Sequence, residues 1–411
     1  MTPSPRRGTL RLPAVMAGAL LLALGSTHVA LSEAPPMPAA PSHLILRNGL
    51  ANARLRFTRD HAGRVVFLGG SITASGGWRD LVGAALQQRF PDTRFDFVNA
   101  GNPSMGSTPD AFRFARDVLA RGPVDLLFVD AAVNDALNGF TPVEQVRGME
   151  GLVRQARVAN PACDVVLLYF GEERMFRTYD AGQTPEVIAS HERVAAHYGL
   201  PSVNLPREMS RAKAAKEYTL ALWGGVHPRK FGHELYARQI MVLLDTAWAG
   251  PLDAAARVTP HTIPEAPLDA ESYCRGRLLP VRHATLGDGW RLDPAWQPTD
   301  KLPTRGGFVG VPTLVTEQPG GVLTLAFDGP TIGLFIASGP DAGVAEFSVD
   351  GGPWRTRELY TQWSRALHLP WAVVLDGDLA AGPHELRLRA AAAHHAASTG
   401  HAIRIMHFLV N

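Results

Sequence analysis

The chain has 411 residues, of which 46% are hydrophobic and 19% are charged, so it is long enough for two or three domains with buried cores. Its 40 basic and 38 acidic side chains leave a formal net charge of +2, and the basic residues are scattered rather than clustered. Composition and charge therefore argue against extensive disorder and against a nucleic-acid or acidic-membrane partner.

The N-terminus has the pattern of a signal peptide. Arg6, Arg7 and Arg11 precede an apolar run over 12–24, and small residues and prolines follow it. This run is shorter than the roughly 20 apolar residues of a membrane span, although an uncleaved anchor extending to Leu31 is the alternative. We predict a signal peptide at 1–34 and hence a periplasmic or secreted protein with no membrane contact beyond that segment.

From Arg64 onward the sequence alternates between strand and helix patterns. Thr108, Thr141 and Thr184 each precede a proline and are predicted N-caps of helices. Such alternation predicts a flavodoxin-like, doubly wound parallel sheet, in which ligands bind at the carboxyl ends of the strands. The predicted elements, in chain order, are strand 64–68, helix 78–90, strand 95–99, helix 109–120, strand 124–131, helix 142–158, strand 164–170, helix 185–198, strand 202–205 and helix 230–247.

Helical periodicity ends near Pro251, and short strands separated by Asp-Gly turns take its place. This spacing predicts a C-terminal β-sandwich or jelly roll. The predicted strands are 321–327, 331–337, 345–349, 372–375 and 384–389. The predicted domain organisation is a linker at 35–43, an α/β domain at 44–250, a linker at 251–267 and a β-domain at 268–411.

The two cysteines, Cys163 and Cys274, are far apart in the sequence and belong to no CxxC pair. They exclude a zinc site and a disulfide scaffold, while a single bridge and two free thiols both stay open. No segment indicates a metal, nucleotide or flavin site, so we expect no cofactor.

The first strand of the α/β pattern is followed by a serine. The segment 69–73 reads Gly-Gly-Ser-Ile-Thr, which places the Ser71 hydroxyl at the ligand edge of the sheet. The N–H of Ser71 would lie near a helix N-terminus, where it can face a developing oxyanion. Taken alone, the segment also fits a glycine-rich turn with a serine cap.

Three later segments strengthen this interpretation. They are 99–104, with Asn-Ala-Gly and then Ser104, 132–135, with Asn134, and 223–228, with His227 before the last helix. Together with 69–73 they resemble blocks I, II, III and V of the SGNH (GDSL-like) hydrolase family, Gly-Gly-Ser-Ile-Thr replacing the usual Gly-Asp-Ser. The resemblance extends from about Leu44 to Leu244.

The resemblance implies a role for each matched residue. Ser71 would be the nucleophile and His227 the general base that takes its proton, because a serine hydroxyl needs such a base at neutral pH. Asn134 would donate its side-chain amide to the oxyanion beside the N–H of Ser71. Without the family pattern, Asn134 would fit a turn and His227 a helix cap.

Two positions depart from the family pattern. Ser104 occupies the place of a glycine whose N–H donates to the oxyanion, and Gly106 would substitute for it if the loop were shifted. Gly224 occupies the place of the aspartate that orients the histidine, whose loss in a Ser-His-Asp enzyme costs a factor on the order of 10⁴. Three arrangements are open: a backbone carbonyl such as that of Trp223 orients the ring, another carboxylate does so, or activity is weak or lost. The candidate carboxylates are Glu172 and Glu173.

The predicted β-domain bears on the substrate. Four aromatic residues close together in its sequence predict either a sugar-stacking surface or core packing. They are Trp354, Tyr360, Trp363 and Trp371. Together with the signal peptide and the hydrolase segments, they favour an exported esterase that removes short acyl groups, O-acetyl above all, from a carbohydrate.

Two other functions compete with that prediction. A lipolytic or aryl esterase would need an apolar acyl pocket, whereas the predicted loops at the strand ends are small and polar. The residues behind this argument are Asn102, Ser104, Ser107 and Asn138. A non-catalytic glycan-binding or polysaccharide-assembly protein with the same fold is the other alternative, supported by the glycine at position 224.

Overall fold

The computed structural model describes residues 42–305 and 309–411, so the predicted signal peptide at 1–34 lies outside the described residues. The first domain alternates strands and helices in the predicted order. Its strands are β1 (Leu44–Ile45), β2 (Ala62–Gly69), β3 (Arg94–Gly101), β4 (Leu126–Asp130), β5 (Asp164–Tyr169) and β6 (Ser202–Asn204). Its helices are α1 (Ala51–Leu55), α2 (Ser71–Ala74), α3 (Trp78–Arg89), α4 (Ser107–Asp117), α5 (Ala132–Asn138), α6 (Pro142–Ala159), α7 (Glu173–Asp180), α8 (Glu186–Tyr198), α9 (Leu205–Ala214), α10 (Leu220–Trp223) and α11 (Lys230–Ala247).

The strands of this domain form one sheet in the order β1-β6-β5-β4-β2-β3. Strands β2 to β6 are mutually parallel, and only the two-residue β1 pairs antiparallel, at the edge next to β6. The flavodoxin-like prediction is therefore confirmed. In the register of this sheet, Gly69 at the end of β2 pairs with Gly101 on one side and with Asp130 on the other. The segments that follow these three strands consequently meet at one edge.

Helix boundaries follow the predictions less closely at their N-termini. Thr141 caps α6 in a capping box with Glu144, as predicted. The other two predicted caps are wrong, because α4 begins at Ser107, before Thr108, and the N-cap of α8 is Pro185 rather than Thr184. Sequence periodicity also missed the short helices α1, α7 and α9, whose few turns give a weak pattern.

The second domain consists of antiparallel strands in two sheets. One sheet has the order β10-β15-β12-β13, and the other β14-β11-β16-β9-β8, with β7 also paired to β16. Buried side chains from both sheets form one core, as in a sandwich. The strands are β7 (Arg277–Pro280), β8 (Arg291–Trp296), β9 (Val311–Thr316), β10 (Leu323–Asp328), β11 (Ile332–Ser338), β12 (Val344–Val349), β13 (Arg355–Glu358), β14 (Leu369–Asp376), β15 (Pro383–Ala390) and β16 (Ile403–Val410).

The larger sheet of the second domain packs its outer face against the first domain. Its residues Val315, Ala372 and Met406 belong to the same buried apolar cluster as the core of the α/β domain. At the edge of this contact, Arg147 of α6 donates to the Gly377 carbonyl at 3.1 Å. The two domains therefore share an apolar interface.

Other features of the chain bear on the earlier expectations. Cys163 and Cys274 are both free, and Cys163 is buried. Within residues 42–305 and 309–411, no helix combines the length and apolar character needed to cross a membrane. The described residues likewise contain no group of three or more His, Cys, Asp or Glu side chains placed to hold a metal ion.

Gly148 of α6 packs closely against the start of α4, and Gly83 of α3 provides a control in a looser environment. A Cβ on Gly148 of α6 would lie 2.6 Å from the Ser107 backbone carbon, whereas a Cβ on Gly83 of α3 would meet the Phe97 ring at an ordinary 3.7 Å. We expect Gly148→Ala to lower the free energy of unfolding by about 2 kcal/mol, because backbone must move to admit the methyl group. Gly83→Ala should raise it by roughly 0.5 kcal/mol, because alanine is the better helix former. Urea unfolding of both variants checks this, and equal losses would contradict it.

Candidate active site

Ser71 is the first residue of α2, and one residue, Gly70, separates it from the end of β2 at Gly69. As the first helical residue, its N–H has no acceptor within the helix. Gly70, before it, is extended, and a Cβ there would lie 2.0 Å from the side-chain oxygen of Asn134. Glycine at this position therefore allows Asn134 to lie directly beside the backbone of the nucleophile candidate.

His227 reaches Ser71 from a segment 156 residues later in the chain: its Nε2 lies 2.7 Å from the Ser71 Oγ. The loop between α10 and α11 that carries it is closed by a hydrogen bond from the Arg229 N–H to the Trp223 carbonyl at 2.7 Å. The Trp223 side chain is buried and donates its indole N–H to the Tyr236 hydroxyl at 3.0 Å. This anchor holds the base of the histidine loop against α11.

Gly224, at the usual aspartate position, has φ +124°. Side chains rarely tolerate this conformation, and a Cβ here would lie 2.7 Å from the Arg229 nitrogen. An aspartate at position 224 would therefore strain the loop, because the backbone there has a conformation suited to glycine.

None of the three predicted orienting partners hydrogen-bonds to His227 in the described part of the chain. The Trp223 carbonyl accepts from Arg229 instead. Glu172 caps α7 by accepting from two backbone N–H groups, and Glu173 pairs with Arg177 at 2.6 Å. Both glutamates therefore have a local structural role, and the His227 Nδ1 has no hydrogen-bond partner among residues 42–305 and 309–411.

The electrostatic surroundings favour a neutral His227. Burial lowers the pKa of His227, and the positive charge of Arg305 lowers it further. An uncharged imidazole is the form that can accept the serine proton.

The oxyanion-hole candidates lie beside this pair. Asn134, in the first turn of α5, lines the same cavity as Ser71 and His227. Ser104 adopts φ +68°, the left-handed conformation that glycine favours, and the Asn138 side chain donates to its carbonyl at 2.9 Å. Ser104 thus has a backbone conformation that glycine adopts without steric cost.

Gly106 does not replace Ser104 in this arrangement. It does not line the cavity, and a Cβ there would lie 2.0 Å from the Asp135 carboxylate. Gly106 therefore allows close packing behind the loop, and Ser104 faces the cavity.

A buried carboxylate, which sequence reasoning did not single out, joins both sides of the oxyanion region. Asp135 accepts from the Ser107 N–H at 2.8 Å and from the Ser107 hydroxyl at 2.6 Å. Its Oδ2 also lies 2.9 Å from His191 Nε2 of α8, and all three side chains are inaccessible to solvent. Asp135 therefore ties the loop after β3, which carries Ser104, to the helix that carries Asn134.

The cavity around Ser71 has a volume of about 290 Å³ and is lined by residues of both domains. Five of its side chains are apolar or aromatic, so it is less polar than the strand-end loops had indicated. Of the four polar residues behind that expectation, Ser104 and Asn138 line it and Asn102 and Ser107 do not. The lining residues are Ser71, Ser104, Asn134, Leu137, Asn138, Val226, His227, Arg305, Trp363, Leu367 and Leu369.

Residues 67–235, which carry Ser71, Asn134 and His227, match the family model of the GDSL-like lipase/acylhydrolase family. This part of the chain is a GDSL-like hydrolase domain. The match covers less than half of the chain and ends before the β-domain. No curated protein sequence matches the chain.

Two solved structures resemble this chain over both domains. Both are crystal structures of a two-domain esterase (CEX) active on acetylated mannans, one of them co-crystallised with mannopentaose. Each has a TM-score of 0.71 and covers 90% of this chain, and they cover 96% and 97% of their own chains. Sequence identities are 20% and 21%, so the similarity shows a shared two-domain fold.

The four aromatic residues of the β-domain do not form one surface. Trp363 is 43% exposed and lines the cavity with Ser71. Trp354 lies under the guanidinium of Arg389, at 4.3 Å from its ring centre. Tyr360 and Trp371 are partly buried against the sandwich core. Of the four, Trp363 alone lines this cavity.

We expect Asp135→Ala to destabilise the GDSL-like domain by about 3 kcal/mol, because it leaves buried donors of Ser107 and His191 without their acceptor. Urea denaturation of this variant beside wild type measures the loss. Asp96→Ala is the matched control, since Asp96 is 55% exposed and pairs only with the partly exposed Arg64. That change should cost about 0.5 kcal/mol or less. Similar losses in both variants would contradict the role assigned to Asp135.

Proposed function

We propose that this protein is an exported serine esterase that removes short acyl groups, above all O-acetyl groups, from a carbohydrate. The observation that carries the proposal is the 2.7 Å contact between Ser71 Oγ and His227 Nε2 in a cavity that Asn134 and Ser104 also line. We also propose that the chain consists of a signal peptide at 1–34, an α/β domain at 44–250 and a β-domain at 268–411.

The reaction would begin with transfer of the Ser71 hydroxyl proton to His227 Nε2 while Oγ attacks the acyl carbonyl carbon. The oxyanion formed would accept from the N–H groups of Ser71 and Ser104 and from the Asn134 amide. The resulting imidazolium would give its proton to the departing sugar oxygen. A water molecule, deprotonated by His227, would then release the acyl group as a carboxylic acid and restore Ser71.

Supporting evidence for a carbohydrate comes from the shared two-domain architecture. The similar esterase acts on acetylated mannans, and its fold matches over both domains. The cavity is small, and the exposed Trp363 ring at its wall offers a flat face on which a sugar ring can stack. These observations favour an acylated glycan over a long-chain lipid.

The apolar side chains around the cavity favour a second candidate, a lipolytic or aryl esterase. Leu137, Val226, Leu367 and Leu369 would contact an acyl chain bound beside Ser71. The two candidates differ in acyl length, so rates on acetate, butyrate and octanoate esters of 4-nitrophenol separate them. The carbohydrate proposal requires acetate to be the best of the three.

We expect Ser71→Ala to abolish hydrolysis of 4-nitrophenyl acetate, a loss of about 10³-fold or more, because the attacking oxygen is removed. The measurement uses the chain from Pro41 onward, with acetate release as a second readout. Ser75→Ala is the matched control: Ser75 lies one turn further on and donates only to the Ile72 carbonyl at 3.3 Å.

Labelling by a serine-directed phosphonate distinguishes an active esterase from a non-catalytic protein, because only an activated serine reacts quickly with it. Loss of both activity and labelling in Ser71→Ala, with Ser75→Ala unaffected, is the expected result. Absence of hydrolysis and labelling in the wild type would instead favour the non-catalytic glycan-binding alternative.

The pH dependence of kcat/KM should reflect the lowered pKa of His227. Activity requires the neutral imidazole, so the rate should fall with decreasing pH only below the ordinary histidine pKa of about 6.5. Arg305→Gln removes a repulsive charge, so His227 should gain its proton more readily and the acidic limb should move to higher pH. Arg365→Gln, an exposed arginine of the same domain that does not line the cavity, is the control and should leave the limb in place. An unchanged limb in Arg305→Gln would contradict this assignment.

A further inference from the structure

One wall of the catalytic cavity comes from two loops of the β-domain. Arg305 lies on the first loop, and Trp363, Leu367 and Leu369 lie on the second loop or at its end. The loops are joined by backbone hydrogen bonds, since the Arg305 N–H donates to the His368 carbonyl at 3.1 Å. They are thus held together as one wall.

This wall is also attached to the GDSL-like domain. The Gln362 side-chain amide donates at 3.0 Å to the Leu137 carbonyl of α5, the helix that carries Asn134. Trp363 follows Gln362 directly. The attachment joins this wall to the helix that carries Asn134, next to the cavity that Ser71 and His227 also line.

Arg305 differs in its partners from Arg147 of α6 and from Arg404 of β16. Arg147 pairs with Asp378 at 2.7 Å, and Arg404 binds the carboxylate of Asp341. The Arg305 side chain makes no salt bridge and no hydrogen bond within residues 42–305 and 309–411, and it is exposed to solvent. Among the described residues that line the cavity there is no aspartate or glutamate. An accessible cation therefore faces the cavity without a protein anion beside it.

We propose that Arg305 binds a carboxylate of the substrate, so that the preferred glycan is an acylated acidic polysaccharide with uronic acid units. This inference rests on the proposed function and names its substrate class. A guanidinium offers paired N–H donors that match a carboxylate, and Arg305 lines the same cavity as Ser71 and His227. Trp363 of the same wall would stack on the sugar ring that bears or adjoins the carboxylate.

The binding experiment separates recognition from catalysis because it uses the Ser71→Ala variant. Calorimetry would compare oligogalacturonate and oligomannuronate with the same oligosaccharides after methyl esterification, which removes the charge and keeps the backbone. We expect about tenfold tighter binding of at least one acid than of its ester, as for a charge-assisted pair. This preference should weaken between 50 and 300 mM NaCl, since the pair is exposed to solvent.

Three variants in the Ser71→Ala background test whether Arg305 is the residue that recognises the carboxylate. Arg305→Gln should reduce the preference to about onefold, and Arg305→Lys should retain part of it, because the charge stays and the paired donors are lost. Arg365→Gln, which removes one charge from an exposed side chain of the second loop that does not line the cavity, should keep the full preference. Equal binding of acid and ester for both backbones, or a preference that survives Arg305→Gln, would overturn the proposal.

A carboxylate bound by Arg305 could also be the acetate released by hydrolysis, and binding of acetate alone tests this alternative. Binding of acetate as tight as that of the acidic oligosaccharide would assign Arg305 to product binding and overturn the proposal. Hydrolysis of 4-nitrophenyl acetate by the wild type is measured separately. Acid-selective binding without that hydrolysis would mean that the esterase function fails while the recognition by Arg305 stands.

Discussion

The contact between Ser71 Oγ and His227 Nε2 depends on two independent pieces of the fold. The parallel sheet brings the ends of β2, β3 and β4 to one edge and so places Ser71, Ser104 and Asn134 around a common point. The loop before α11 must then return to this edge, and the buried Trp223 holds it there. The remaining features of the site act on this contact, through the charge on the imidazole or through the donors beside the serine.

The surroundings of His227 differ from those of a Ser-His-Asp triad in the sign of the charge nearby. A triad aspartate stabilises the imidazolium, whereas here burial and Arg305 both favour the neutral ring. A neutral His227 can accept a proton at neutral and mildly acidic pH, but the imidazolium that forms is less stabilised than in a Ser-His-Asp triad. In the proposed mechanism, stabilisation of the oxyanion by Ser71, Ser104 and Asn134 would therefore supply a larger share of the rate enhancement.

The β-domain is part of the cavity in this architecture. Its larger sheet shares an apolar cluster with the α/β core, and two of its loops supply one wall of the cavity opposite Ser71. This explains why the cavity is more apolar than the strand-end loops alone indicated. It also means that the properties of the cavity, including its positive charge at Arg305, depend on how the two domains pack.

The sequence by itself determined the order of the longer strands and helices of the α/β domain, the parallel sheet and the positions of Ser71 and Asn134 at strand ends. These features depend on local periodicity and on the rule that parallel strands end at one edge, so a single chain pattern suffices. The family resemblance added His227, since nothing local distinguishes that histidine from a helix cap. Short elements such as α7 and β13 were missed because they are too brief to show a period.

Only the tertiary structure decided how Ser104 and Gly224 are accommodated and what surrounds His227. The left-handed conformation of Ser104 follows from the course of a loop, and no residue-type pattern specifies it. The roles of Asp135 and Arg305 likewise depend on contacts between distant segments. Asp135 contacts His191 of α8, and Arg305 of the β-domain lines the cavity around Ser71. Such contacts are set by side-chain packing across domains and elements, and a linear pattern of residue types does not encode their geometry.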